Sequence, residues 1–156
     1  MITVDRKREI AAAPAEVWDV VTEPMRAPEW FTFAERVEVL DGDPGVGQRQ
    51  RQHGRWGRRS AEVDREIIGY DPPSAYGWRH LAERLDGKPA PQFARSTEFR
   101  ISLEPSGTGT LVRLHVAQEP ASALKGLVMR AFGTRDVAAH LERSLDRLAA
   151  LFPPVQ

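Results

Sequence analysis

The residues of this 156-residue chain that could carry chemistry are few, and they are scattered. His80 is the foremost. It alternates with Trp78 and Tyr76, so it shares their face of an extended segment, and an imidazole there could act as an acid, a base or a hydrogen-bonding group. The other three histidines fall on separate segments. His53 and His115 are expected to point outward, and His140 to lie on the polar side of a helix. No H-x-x-x-H spacing occurs, the four histidines lie on separate segments and there is no cysteine, so neither a metal site nor a thiol nucleophile is expected. No G-x-G-x-x-G, P-loop or G-x-S-x-G motif is present, and no cofactor is expected.

Two other patterns bear on a binding site. Gln48, Gln50 and Gln52 alternate with Arg49, Arg51 and His53 in phase with Val46 and Trp56, which predicts a wall of neutral donors and acceptors facing inward. Arg6, Arg8, Arg65 and Arg135 fall in the phase of apolar neighbours. A buried arginine needs a carboxylate or an anionic ligand, whereas one at a rim extends its stem and keeps its head in water. Trp30, Trp56, Trp78, Phe99, Met129 and Phe132 supply candidate aromatic and adaptable lining for an apolar ligand. The candidate ligand-binding set is therefore Trp30, Gln50, Trp56, Arg65, Trp78, His80, Phe99, Met129 and Phe132, with His80 the candidate for proton transfer.

Composition narrows the function classes. Twenty-two basic residues balance twenty-two acidic ones, which argues against a dedicated nucleic-acid binder. The basic run Arg49, Arg51, Arg55, Arg58 and Arg59 faces Glu62, Asp64 and Glu66 on the adjoining segment and is read as a solvated cross-strand ladder. The first residues pass directly into charge without an apolar leader, and no window is long and apolar enough to span a membrane, so a cytoplasmic protein is expected.

The elements that must position these residues follow from period and punctuation. Val4 to Ala11 reads as a strand, Pro14 opens a short helix holding Val17, Trp18 and Val21, and a second helical turn ends at Trp30-Phe31. Strands are expected at 34–40, 46–56, 61–70, 75–81, 95–103 and 108–117, with a polar loop at 82–93. Connections this short give antiparallel neighbours. Beyond Pro120, Leu124, Val128, Ala131, Ala138, Leu141, Leu145, Leu148 and Phe152 form one apolar stripe of a helix over 121–152. The whole chain, 1–156, is expected to be one α+β domain whose helix packs on the concave face of a curved sheet.

The order of one strand, two short helices, a meander of strands and a long helix resembles the START-like superfamily. In particular it resembles the polyketide cyclase/dehydrase and lipid-transport group. The local marks are Ile10 with Ala12-Ala13-Pro14 and Val17-Trp18, Pro28-Glu29-Trp30, Gly45-Val46-Gly47, Ile67 before Asp71-Pro72-Pro73, Trp78, and Gly107-Thr108-Gly109-Thr110. The resemblance implies a helix-grip fold enclosing a cavity for a small hydrophobic ligand such as a lipid, polyketide or aromatic metabolite. The main expectation is a binding or transport protein. The alternative is a cyclase or aromatase using the same cavity, and the lack of an obvious acid/base pair favours binding.

Overall fold

The computed structural model describes residues 1–155. The period-two segments join into a curved antiparallel sheet. Its strands are β1 (Ile2–Ile10), β2 (Arg36–Asp41), β3 (Arg49–Trp56), β4 (Arg59–Asp71), β5 (Ala75–Leu85), β6 (Lys88–Pro89), β7 (Ala94–Ser106) and β8 (Gly109–Pro120). They run in the order β1-β8-β7-β5-β4-β3-β2, with the two-residue β6 paired to β5. Between β1 and β2 lie α1 (Pro14–Val21), a 3-10 turn at Pro24–Arg26 and α2 (Ala27–Trp30). The chain ends in α3 (Ala123–Val128), a π-helical turn (Met129–Gly133) and α4 (Thr134–Leu151).

Local chemistry sets these boundaries. Pro14 occupies the start of α1, where its missing N–H costs nothing, and Ser122 caps α3 by accepting the Lys125 N–H at 3.1 Å. β3 begins three residues later than the sequence suggests, because Gly45 and Gly47 adopt φ of +139° and +95° and keep the chain in its turn. The expected loop at 82–93 is partly strand. Asp86 and Gly87 both take positive φ, as a tight two-residue hairpin demands, and fold Lys88–Pro89 back on β5.

α4 lays Leu141, Leu145 and Leu148 on the concave face, all fully buried or nearly so. The stripe does not continue through α3. The π turn places one extra residue in the helical turn and rotates everything before it. Gly126 and Met129 face inward instead, while Leu124, Leu127 and Phe132 are 72%, 64% and 75% exposed. The expectation that Leu124, Val128 and Ala131 share the buried seam is corrected by that rotation, since all three are exposed.

β1 has a similar surprise. Arg6 and Arg8 lie in the concave phase, but at the open edge of the sheet, where they pair with Glu142 and Asp146 of α4. On the convex face the predicted ladder is present. Asp64 accepts from Arg51 at 2.7 Å and from Arg84 at 2.8 Å, and Arg79 pairs with Glu66 at 2.7 Å. The Arg51 hydrogen bond, reinforced by Arg84, pulls the Asp64 carboxyl down to about 2.

Candidate functional site

The three glutamines face the concave side, as their alternation requires: Gln48, Gln50 and Gln52 are all buried. Gln50 pairs across the strands with Arg65, and Arg65 in turn with His80. The Arg65 side chain is buried. Its Nε donates to Gln50 Oε1 at 3.0 Å and its Nη1 to Gln52 Oε1 at 3.1 Å. Gln50 Nε2 passes the chain on to Gln48 Oε1 and to the Tyr76 hydroxyl, at 2.7 and 3.2 Å. No carboxylate pairs with Arg65 among the described residues. Burial lowers its pKa to about 10, which still leaves it charged at neutral pH.

Around this polar strand stack the aromatic residues. Trp78 and Phe99 lie face to face with centroids 4.5 Å apart and planes within 4°. Phe31 meets both edge-on, at 5.6 and 5.3 Å. The Arg65 guanidinium sits 3.9 Å from the Trp78 ring centroid, close enough for a cation–π contact. Trp30, Gln50, Arg65, Trp78 and Phe99 thus come together as the sequence grouped them, but they form a packed centre. The space beside them amounts to a cavity of about 10 Å³.

The open volume lies to either side of that centre. At one end a cavity of about 530 Å³ is bounded by Trp56, Val63, His80, Glu83, Leu85, Phe93, Thr97 and Gln118. At the other, about 570 Å³ opens between Trp18, Thr22, Met25, Val37, Gln48 and Tyr76. Both are large enough for a small molecule. The first has the richer chemistry. His80 Nδ1 lies 3.3 Å from Glu83 Oε2, and this hydrogen bond lowers the Glu83 pKa. Thr97 and Gln118 face each other in the same wall, with Gln118 Nε2 donating to Thr97 Oγ1 at 3.4 Å.

The histidine–carboxylate contact was not visible in the sequence. His80 and Glu83 are three apart, and on a regular strand they would point to opposite faces. The register between β4 and β5 shifts after Arg65: His80 opposes Arg65, yet Ala82 opposes Asp64, so Leu81 is an extra residue. The bulge turns Glu83 onto the face of His80. The sequence signal that could have found it is the apolar Leu81 where the alternation requires a polar residue.

The remaining candidates separate. Trp56 lines the 530 Å³ cavity but only at its rim, 58% exposed, because β3 runs past the covered part of the sheet after Gly54. A side chain at Gly54 would meet the Phe33 carbonyl oxygen at 2.5 Å, so there the crossing backbone takes the place of an inward residue. Met129 is buried under the helix and Phe132 faces away from the cavity altogether. His53 pairs with Glu38 and His115 with Asp5, both on the outer face. His140 departs from its expected polar setting. It stacks on Phe33 at 4.7 Å, and its Nδ1 lies 3.0 Å from Thr32 Oγ1, because the loop after α2 crosses the helix at that turn.

Comparison with known proteins agrees with this architecture. Residues 1–153 match the model of a family described as polyketide cyclase/dehydrase and lipid transport. No curated protein sequence matches the chain at a significant level. Among solved structures, a START superfamily protein from Mycobacterium smegmatis superposes with a TM-score of 0.72 at 16% identity, covering 96% of this chain and 98% of that one. Protein MLL2253 from Mesorhizobium loti gives 0.70 at 23% identity, covering 96% of each chain. TTHA0849 from Thermus thermophilus gives 0.70 at 18% identity, covering 96% and 99%. At such identities these likenesses speak to the fold.

Proposed function

The chain belongs to the polyketide cyclase/dehydrase and lipid transport family, and from that premise we propose that it binds a small hydrophobic ligand in the 530 Å³ cavity at the His80 end of the sheet. Family membership supports ligand binding in general, and the observation that carries the finer reading is the make-up of this cavity. Val63, Leu85 and Phe93 offer apolar surface, while His80, Glu83, Thr97 and Gln118 gather polar groups in the same wall. A largely apolar cleft with a few convergent polar groups orients a ligand that is greasy along most of its length and polar at one point. Lipids, polyketides and aromatic metabolites have that character. Trp56 at the rim offers a flat face to an entering ring.

Purified protein should carry or take up such a ligand. Mass spectrometry of an organic extract, followed by titration with a fluorescent apolar probe, tests this directly. Saturable micromolar binding is expected, and Thr97→Phe, which puts a ring in the cavity wall, should weaken it at least tenfold with little change in melting temperature. Binding unaffected by Thr97→Phe would remove this cavity from the reading.

The His80–Glu83 contact favours a second reading, an enzyme of the cyclase or aromatase kind. A carboxylate that orients an imidazole prepares it to take a proton from an enolisable ligand or to return one to a departing hydroxyl. His80→Gln keeps hydrogen bonding but cannot exchange that proton. An enzyme depending on it should lose roughly 10²–10⁴-fold in rate, whereas a carrier should keep its affinity within a few-fold.

A further inference from the structure

The packed centre buries a positive charge with no counter-charge among the described residues. Arg65 is 4% exposed, and the groups that hold it are the neutral amide oxygens of Gln50 and Gln52. Those two bonds use two of the five guanidinium N–H groups. Trp30 and Trp78 are each 2% exposed, and the indole N–H of each has no hydrogen-bond partner among the described residues. A buried donor left unpaired is costly, and buried polar groups are almost always satisfied. Two such donors beside an uncompensated cation call for one explanation.

The three side chains line the same cavity, about 10 Å³ beneath the turn that joins α1 to α2. That is room for a single atom of water or halide size. Tyr76, also in its wall, accepts from Gln50 and has its own O–H to donate. Glu23 is the one acidic residue in the lining among the described residues. It is exposed, its carboxylate accepts the Met25 N–H at 3.1 Å, and it makes no ion pair with Arg65.

We infer that this cavity is a small-anion site, holding one acceptor atom of halide size among Arg65, Trp30 and Trp78. A water could accept from the indoles, but it would leave the guanidinium charge uncompensated in a low-dielectric setting. A monovalent anion answers both needs at once. Arg65 remains protonated at neutral pH, so the charge is present when the anion arrives. The site is separate from the ligand cavity at the His80 end and does not depend on that proposal.

Tryptophan fluorescence tests it, because bromide and iodide quench the indole they touch. Trp56 is exposed and would be quenched by collision, so the measurement uses Trp56→Phe, which leaves the buried Trp18, Trp30 and Trp78. In halide-free buffer at constant ionic strength, made up with sodium gluconate, bromide should quench this variant to a plateau. Chloride should compete with bromide and raise the melting temperature of the wild type in a concentration-dependent way. Arg65→Met should abolish the plateau and the chloride-dependent shift. If Arg65→Met fails to fold by near-ultraviolet circular dichroism, Trp30→Phe keeps the ring and removes one donor, and should weaken the plateau about tenfold or more. Quenching that rises linearly with bromide without a plateau, or a plateau unchanged by these substitutions, overturns the site.

Discussion

The C-terminal helix is two helices in its energetics. In α4 the large side chains face the sheet and the charges face water, with Leu141, Leu145 and Leu148 buried to within 2%. Across the π turn the arrangement inverts. The inward residues of α3 and the turn are Gly126 and Met129, and the large ones, Leu124, Leu127 and Phe132, stand in solvent. Apolar burial scales with area removed from water, so the two halves hold to the sheet very unequally. α4 closes the core, and α3 is tethered by polar links at its start: the Ser122 cap, the Ala121 N–H to the Phe93 carbonyl at 2.9 Å, and Lys125 Nζ to the Gln92 carbonyl at 2.9 Å. Those last two acceptors belong to the segment lining the 530 Å³ cavity. The weakly held half of the helix is therefore hydrogen-bonded directly to the cavity wall.

The strongest way to break this comparison is to truncate the firm half. Leu145→Ala should cost on the order of 2–5 kcal/mol in a denaturant melt. A loss below about 1 kcal/mol would show that α4 does not close the core. Gly126→Val attacks the weak half from inside. A side chain there meets Pro120 Cβ and Cγ at 3.1 Å, so the segment must lift or the proline shift, at a cost of about 1–3 kcal/mol. Hydrogen exchange should then accelerate over 123–133 and stay unchanged over 138–148. Acceleration of both would mean that the π turn is no boundary.

His140 offers a subtler test of the firm half. Burial, reinforced by the Arg143 charge, holds its pKa below the usual histidine range. The unfolded chain therefore takes up the proton first as pH falls. Stability should decline as pH drops below the ordinary histidine value and level off below the folded one. Melting temperatures followed from neutral pH down through the histidine range should show this step, and His140→Gln should remove it while the other acid transitions persist. The smallest effect belongs to the outer face of α3. Leu127→Ala makes a truncation of the same size as Leu145→Ala but should change stability by no more than about 0.5 kcal/mol.

Much of the fold could be read along the chain, because period-two and period-3.6 patterns are local. The glutamine wall on β3 and the outer charge ladder follow from alternation alone. Two of the places where reading failed involve a change of phase. A π turn rotated α3, and a bulge at Leu81 brought Glu83 beside His80. An edge position left Arg6 and Arg8 in the inward phase but in water, facing the acids of α4. Phase errors of this kind are set by tertiary packing, and a local pattern cannot show where the count skips. The grouping of Trp30, Arg65, Trp78 and Phe99 was visible. That they fill their space, and leave the larger openings at the two ends, depends on ring orientations that composition does not encode.

The bulge at Leu81 also bears on how this chain can change in length. An extra residue in one strand is a site where a deletion removes an irregularity. Without Leu81, His80 and Ala82 would follow each other opposite Arg65 and Asp64, and the ladder on either side would keep its present partners. Glu83 would still face inward opposite Val63, two residues along the chain from His80 instead of three. A one-residue deletion is among the most disruptive events elsewhere in a sheet, since it turns every later side chain to the wrong face. At this position it would instead straighten the ladder and leave every later side chain on its present face, which makes Leu81 a point where the chain can lose a residue and keep both the hairpin and the imidazole–carboxylate pair.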